Sequence, residues 1–322
     1  MAEVVVVGSY VQDHAWLVDR FPRPGETRRA HGFNTGPGGK GFNQAVACAR
    51  QGVSSAFIGA IGEDHLGLIA RDFALAEKLP CRWLVRRDQP TAASSILVEA
   101  GGQNQIAVSL GANEWLDVDF VRAQADLFAG ARVLLCQLEN NLDAIAAALA
   151  LGKQQALACI LNPAPVHADL DRPLFAAADI LTPNETEFAL LLARFANVEV
   201  DPATLAARAD ADLHALARRL GDATLVVTLG GAGCFVSHAL GAQRGDAEPY
   251  YRVPAERVAA IDATGAGDAF SGGLAAALVR FAERPFRHAV RHAGRVAALS
   301  TEKVGTAPAM PTGADVEARF GA

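Results

Sequence analysis

Several features that would place a chain in a specialised class are missing from this sequence. Its 322 residues contain no run of Lys and Arg and carry a formal net charge of −6, which gives no electrostatic support to a nucleic-acid or anionic-membrane surface. No apolar run reaches the length of a membrane span, and the first residues lack the pattern of a secretory signal. We therefore expect no nucleic-acid partner, no membrane partner and no secretion.

Paired cysteines and clustered histidines are also missing. The five cysteines are scattered and include no Cys-x-x-Cys pair, a pattern typical of reduced core residues in a cytoplasmic protein. The eight histidines show no metal-ligand spacing. The expected location is cytoplasmic, with no disulfide framework and no histidine-bound metal.

The rest of the composition is that of a globular protein with a large core, because 51% of the residues are hydrophobic and 20% are charged. Residues 4–9 form a β-branched run closed by Gly-Ser, as expected for a parallel strand buried on both faces. From residue 118 onward, helix-like and strand-like segments alternate. This order predicts a doubly wound, mostly parallel α/β sheet with helices on both faces. Residues 1–322 are expected to form one domain, since no linker composition interrupts them.

Two segments leave this alternating pattern. Residues 15–36 alternate loosely around a Pro-rich turn, and residues 91–111 contain two strand-like runs around Gly101 and Gly102, which is a hairpin signal. We expect the two segments to form a small separate β-sheet.

The chemistry is predicted at residues 260–270, which we interpret as a strand end, a tight turn and a helix start. Backbone N–H groups of Gly265, Ala266 and Gly267 would be unpaired at a helix N-terminus, where they favour an anion. Asp268 in the first helical turn could accept a proton from a substrate hydroxyl while these groups hold a phosphoryl group. This combination predicts phosphoryl transfer. The alternative is that Asp262 or Asp268 only caps the helix and the glycines only turn the chain.

Other candidate residues follow predicted strands, at the edge where α/β sheets bind ligands. Asp13 follows the first strand and Glu139 follows the strand predicted over residues 131–138. Asn184 and Glu187 are three residues apart on one helical face, which suits a hydrated Mg²⁺, although a capping box would give the same spacing. Thr228 and Gly230 lie where a strand turns back, and its exposed amides are a candidate seat for nucleotide phosphates.

A glycine-rich turn at residues 36–41 contains Gly-x-Gly-x-x-Gly and leaves a dinucleotide-binding oxidoreductase as an alternative. Its context disfavours this reading, because the turn comes long after the residue 4–9 strand instead of directly following it. A phosphate-binding P-loop is also disfavoured, since no Ser or Thr follows Lys40.

Two segments resemble the signatures of the ribokinase-like carbohydrate kinases of the PfkB family. They are Gly-Gly-Lys-Gly-Phe-Asn-Gln-Ala at 38–45 and Asp-Ala-Thr-Gly-Ala-Gly-Asp at 262–268. The likeness runs from about residue 4 to residue 310 and is strongest to the ribokinase branch. It implies ATP-dependent phosphorylation of a sugar hydroxymethyl group, with D-ribose as the acceptor and fructose or a nucleoside as alternatives. It also implies a β-sheet lid over the sugar and a homodimer formed through that lid.

The resemblance also implies roles for individual residues. Asp268 would be the base, beside an anion hole at Gly265, Ala266 and Gly267. The sugar site would be lined by Asp13, Gly39, Lys40, Asn43 and Glu139. Asn184 and Glu187 would act through Mg²⁺ and water near the ATP phosphates. An activating K⁺ would bind near Asp262, Thr264, Ser300, Lys303 and Gly305.

Two positions depart from the family pattern. Val11 stands two residues before Asp13, where bacterial relatives typically carry Asn, and the lost hydrogen bond predicts altered sugar specificity. Ala309 stands where a Ser often supports the monovalent-cation site, which disfavours K⁺ activation.

A catalytically silent sugar sensor is a further alternative, although a sensor has no need of the base Asp268.

Overall fold

The computed structural model describes residues 1–101, 103–239, 241 and 243–321. The strands within these ranges are β1 (Val4–Val7), β2 (Val11–Val18), β3 (Gly32–Gly38), β4 (Ser55–Gly62), β5 (Cys81–Arg86), β6 (Ala93–Glu99), β7 (Asn104–Ser109), β8 (Val133–Cys136), β9 (Ala158–Leu161), β10 (Ile180–Leu181), β11 (Thr224–Thr228), β12 (Cys234–Ser237) and β13 (Tyr250–Val253). The α-helices are α1 (Lys40–Arg50), α2 (His65–Ala76), α3 (Val118–Ala123), α4 (Ala125–Phe128), α5 (Leu142–Gln154), α6 (Arg172–Ala176), α7 (Glu185–Ala196), α8 (Asp210–Arg218), α9 (Ala266–Arg280), α10 (Phe286–Ser300) and α11 (Gly313–Phe320).

The larger sheet has nine strands in the order β13-β12-β11-β10-β9-β8-β1-β4-β5. Strand pairing is parallel from β11 to β5, and β12 and β13 are antiparallel additions at one edge. The valines of β1 alternate between two hydrophobic cores, Val4 and Val6 on one face and Val5 and Val7 on the other. An unbroken apolar strand therefore fits, because both faces of the sheet are covered. The predicted doubly wound α/β architecture is confirmed.

The smaller sheet has the strand order β3-β2-β6-β7. Asp13 is in register with Ser94, and Ser94 with Val108, so these three residues share one face. The predicted excursions fall on this sheet, although β2 begins at Val11, before the predicted start, and Asp13 is therefore a strand residue of the smaller sheet. Of the predicted hairpin pair, Gly102 lies outside the described residues. The assignment of the whole chain to one domain stays a prediction.

Close packing between α1 and α9 brings the two signature segments together. A Cβ added at Gly272 in α9 would lie 2.3 Å from the Gln44 backbone oxygen in α1, so only glycine allows this crossing. A Cβ at Gly41 would lie 2.5 Å from the Ser9 backbone nitrogen, which holds the start of α1 against the end of β1. Backbone packing of this kind fixes the relative position of the two helix N-termini.

One local prediction is wrong. Residues 260 and 261 do not end a strand: β13 stops at Val253, residues 254–260 form a loop, and Ile261 is 69% exposed. His238 and Tyr251 are both buried, and Asp246 accepts hydrogen bonds from the Tyr251 hydroxyl and the His238 ring. Gln124 divides the helical segment that follows Asp117 into α3 and α4.

The described part of the chain can be searched for membrane-spanning helices, for metal-binding clusters and for the state of the cysteines. None of the helices there combines the length and apolar character needed to cross a membrane. No group of three or more His, Cys, Asp or Glu side chains is arranged there to hold a metal ion. The five cysteines are free thiols, and all but Cys81 are buried.

Candidate active site

A cavity of about 160 Å³ opens where the N-termini of α1, α7 and α9 converge on the ends of the central strands. Its lining residues are Lys40, Asn162, Ala164, Thr182, Asn184, Glu187, Thr228, Gly265, Gly267 and Asp268. Most of the predicted phosphate-side residues therefore meet in one place. The cavity lining does not include Gly230 or the predicted cation-loop residues, which are Asp262, Thr264, Ser300, Lys303 and Gly305.

Asp268 is the buried carboxylate at the centre of this cavity, with 7% of its surface exposed. Asn43 Nδ2 donates to its Oδ2 at 2.8 Å, and Gln44 Nε2 donates to its Oδ1 at 2.9 Å. Burial raises the pKa of Asp268, while the nearby Lys40 charge and the two amide hydrogen bonds act to lower it. The group is thus oriented as an acceptor, with a pKa moved toward the range of a working base.

The role of Gln44 was not foreseen from the sequence. It lies next to Asn43 in the 38–45 signature, and that position is the only signal that could have indicated it. Its amide nitrogen also donates to Asn162 Oδ1 at 3.0 Å, and its amide oxygen accepts from Gln137 Nε2 at 2.7 Å. These side-chain partners are buried, so the amide chain fixes the orientation that Gln44 imposes on Asp268. Asn43, predicted as a sugar ligand, has its buried Oδ1 without a partner among the described residues, and its sugar contact stays a prediction.

Lys40 stands between the carboxylates of the site. Its Nζ lies 4.0 Å from Glu139 Oε1, and its backbone N–H donates to Glu139 Oε2 at 3.0 Å. Ser9, also missed from the sequence, donates to the same Oε2 at 2.6 Å. Burial acts to lower the pKa of Lys40, but Asp268, Glu139, Glu187 and Asp13 together raise it above its ordinary value. Lys40 is therefore a retained positive charge among acidic groups.

Asp13 is held by hydroxyl groups on both carboxylate oxygens. Ser94 Oγ donates to Oδ1 at 2.6 Å, and Thr306 Oγ1 lies 3.2 Å from Oδ2. Burial raises the pKa of Asp13, and these two hydroxyl contacts act to lower it. Gly39, directly before Lys40 in the sequence, has φ of +87°, and a Cβ there would lie 2.5 Å from the Val11 backbone nitrogen. This glycine keeps the backbone close to β2 at the predicted sugar site.

The N-terminus of α9 offers free backbone donors. Gly265 is its N-cap residue in the left-handed conformation, with φ of +77°. In the described parts of the chain, the amides of Gly265 and Gly267 have no acceptor, whereas the Ala266 amide donates to Ala263 O at 3.2 Å. The expectation that all three amides are unpaired is therefore wrong for Ala266, because the turn itself closes on it. Gly265 and Gly267 keep the geometry of an anion site.

Asn184 and Glu187 form the capping box that the sequence left as an alternative. Asn184 Oδ1 accepts from the Glu187 amide at 2.8 Å, and Glu187 Oε2 accepts from the Asn184 amide at 2.9 Å. Both residues also line the cavity, so the cap leaves Glu187 facing Asp268 and Lys40. Asn184 bridges to Thr228, whose amide donates to Pro183 O at 2.9 Å. Burial raises the pKa of Glu187, while the hydrogen bond from the Asn184 amide and the Lys40 charge act to lower it.

The predicted cation loop is drawn together by one carboxylate. Asp262 accepts from the Thr264 amide at 2.9 Å and from the Gly305 amide at 3.0 Å. The Ser300 carbonyl accepts from the Lys303 amide at 3.4 Å. Carbonyl and carboxylate oxygens are the ligands that a hard cation prefers, so these residues have suitable chemistry for K⁺. The K⁺ assignment itself stays a prediction.

Comparison with known proteins decides the family. The sequence profile described as pfkB family carbohydrate kinase matches residues 1–313. A ribokinase of Mus musculus is 34% identical over 312 residues, which cover 96% of this chain and 92% of the mouse protein. The chain belongs to the pfkB family of carbohydrate kinases. This membership favours the kinase over the dinucleotide-binding oxidoreductase and the silent sensor.

Two further relatives of this carbohydrate kinase carry the name of a sugar kinase. A deoxyribokinase of Salmonella typhi is 31% identical over 321 residues and covers 96% of each chain. The structure of Arabidopsis thaliana ribokinase complexed with ribose and ATP superposes with a TM-score of 0.82 and 27% identity, over 98% of each chain. The ribokinase-like fold is therefore shared along nearly the whole length.

Proposed function

We propose that this carbohydrate kinase transfers the γ-phosphoryl group of ATP to the hydroxymethyl group of D-ribose. One observation carries the proposal: a buried carboxylate, Asp268, is oriented by Asn43 and Gln44 beside the free amides of Gly265 and Gly267. Such a base and such an anion site are the two parts that phosphoryl transfer to an alcohol requires. The ribose and ATP complex of the Arabidopsis relative supports the choice of substrates.

In this proposal each part of the site has one task. Asp268 accepts the proton of the sugar hydroxyl as that oxygen attacks the γ-phosphorus, and the bond to the β-phosphate oxygen breaks. The amides of Gly265 and Gly267 hold the negative charge on the transferred group, and Lys40 adds a positive charge between sugar and phosphates. Asp13 and Glu139 accept hydrogen bonds from sugar hydroxyls. The nucleotide follows the turn at Thr228 and Gly230.

Mg²⁺, when bound with ATP, would neutralise phosphate charge. Glu187 faces the cavity and uses Oε2 in the capping box, and its Oε1, which accepts no hydrogen bond from the described residues, can accept one from a metal-bound water. We expect Glu187→Gln to raise the Mg²⁺ concentration needed for half-maximal rate by about tenfold. Initial rates titrated with Mg²⁺ at fixed ATP measure this. Glu185→Gln, in the first turn of the same helix but not lining the cavity, is the matched control. Equal Mg²⁺ curves for the two variants would contradict the role of Glu187.

An ADP-release assay tests the function directly. Purified protein with Mg-ATP is supplied in turn with D-ribose, 2-deoxy-D-ribose, D-fructose and a nucleoside, each in K⁺ and in Na⁺. The proposal expects the highest kcat/KM with a pentose. A preference for fructose or a nucleoside would keep the mechanism and replace the acceptor, and no turnover with any of them would overturn the function.

Val11 sets an expectation about the sugar. It is buried on the same face of β2 as Asp13, where alternation directs both side chains to one side of the sheet. An apolar side chain cannot form a hydrogen bond with a sugar hydroxyl. A substrate that lacks one hydroxyl, such as 2-deoxy-D-ribose, should therefore lose little binding energy at this position. We expect kcat/KM for D-ribose and 2-deoxy-D-ribose to differ by less than about tenfold, and Val11→Asn to increase the preference for D-ribose. A strong preference for ribose in the unchanged protein would contradict this.

We also propose a homodimer formed through the smaller sheet. The face that carries Asp13 continues through Ser94 to Val108, and through Ile96 to Ile106, with Ile106 and Val108 about half exposed. Apolar side chains in such a position favour a second chain that covers them and the β7 edge. Light scattering of the purified protein tests this, and Ile106→Glu should shift a dimer to a monomer. A monomer before substitution would refute the assembly.

A further inference from the structure

The loop after α10 reaches the predicted sugar site through one hydroxyl group. Thr306 Oγ1 has two acceptors in range, Asp13 Oδ2 at 3.2 Å and Pro37 O at 3.1 Å. Thr306 is 8% exposed, so its hydroxyl has little access to water and these acceptors are its natural partners. The contact joins residues 293 positions apart in the sequence.

The space around this contact is closely fitted. A Cβ at Gly38 would lie 2.0 Å from Asp13 Oδ2 and 3.1 Å from Thr306 Oγ1, so only a glycine there leaves room for the pair. Ser94, from β6, holds the other carboxylate oxygen. Asp13 is therefore fixed from two directions, by a hydroxyl of the smaller sheet and by a hydroxyl of the C-terminal loop. Such donors replace the hydration that a buried carboxylate has lost.

The same loop also contacts the turn that begins α9. The Gly305 amide donates to Asp262 Oδ2, and Asp262 Oδ1 accepts from the Thr264 amide. Two consecutive residues thus face two parts of the site: Gly305 faces the turn beside the anion site, and Thr306 faces the sugar-side carboxylate.

We infer that Thr306 is a positioning residue for Asp13, and that Gly305 and Thr306 together link the sugar-binding carboxylate to the turn before α9. The kinetic consequence rests on the proposed sugar kinase function, whereas the placement of Asp13 follows from the geometry alone. Without the hydroxyl, the Asp13 carboxylate keeps the Ser94 hydrogen bond as its only one from the described residues, and it turns out of the orientation in which it meets the sugar.

Two conservative substitutions test the kinetic consequence. Thr306→Val removes the hydroxyl, and Thr306→Ser keeps it. On the sugar that the unchanged protein phosphorylates best, Thr306→Val is expected to raise KM for the sugar about tenfold, with kcat and KM for ATP within about twofold. Thr306→Ser is expected to restore most of the sugar KM. An unchanged KM in Thr306→Val, or an equal defect in Thr306→Ser, would overturn the inference.

A crystal structure of ligand-free Thr306→Val separates this inference from the proposed function. The Asp13 carboxylate is expected to turn away from residue 306, while in Thr306→Ser it should keep its contact. If Asp13 holds the same position in Thr306→Val, the positioning role is refuted whatever the kinetics show. If the unchanged protein phosphorylates no sugar, the proposed function fails, and this structural comparison still decides the role of Thr306.

Discussion

Asp268→Asn is expected to lower kcat by about 10² to 10⁴, because the amide cannot accept the proton of the attacking hydroxyl. The substitution keeps the size of the side chain and leaves an oxygen for one of the two amide donors, Asn43 and Gln44. The KM values for sugar and ATP should change far less than kcat, since the loss is in the transition state. Steady-state kinetics with the best sugar measure this effect.

Asp315→Asn is the matched control for this substitution. Asp315 occupies the third position of α11, as Asp268 does in α9, but it serves a capping box with Thr312 and lies outside the cavity. Its replacement should cost about 0.3 to 1 kcal/mol of stability, the effect of one negative charge in a first helical turn, and leave kcat unchanged. If Asp268→Asn behaved in the same way, with a small loss of stability and normal turnover, Asp268 would be a helix-capping residue and not the base.

The pH profile of the unchanged protein adds a second test of Asp268. Burial raises the pKa of its carboxyl, and only the deprotonated form accepts a proton. The value of kcat/KM should therefore fall as the pH drops through this raised pKa, on an acid limb that lies above the usual range of an aspartate. A rate that stays flat down to that usual range would show that no raised carboxyl takes part.

Gly272→Ala is the second substitution with a large expected effect. Its Cβ would lie 2.3 Å from the Gln44 backbone oxygen, and a backbone atom cannot move aside as a flexible side chain can. Helix α9 would have to shift away from α1, which separates Asp268 from Asn43 and Gln44. A displacement of about 1 Å at the reacting groups can cost about 10² in rate. We expect kcat to fall by about that factor and stability by about 1 to 3 kcal/mol, as measured by steady-state kinetics and urea unfolding.

Gly294→Ala provides the comparison for stability. It makes the same change within the neighbouring helix α10, where an added Cβ meets no atom within 4 Å. Alanine favours the helical backbone over glycine, so this variant should be as stable as the unchanged protein or slightly more stable. Normal stability and normal turnover in Gly272→Ala would show that the crossing of α1 and α9 does not set the geometry of the site.

The sequence determined the architecture because its signals were local. The apolar β-branched residues of β1 indicate a strand that is buried on both faces of the sheet. The alternation of helix-like and strand-like segments after residue 118 indicates parallel strands joined by helices. The two signature segments likewise indicated which residues meet at the site and what reaction they support. Each of these inferences needs only neighbouring residues and the direction of the chain.

Only the tertiary structure decided which side chain contacts which. Gln44 contacts Asp268 across 224 positions of the sequence, and Thr306 contacts Asp13 across 293 positions. Such contacts follow from how α1 crosses α9 at Gly272 and from where the loop after α10 passes Gly38. Periodicity and residue type do not encode these distances, because they result from the packing of many elements at once.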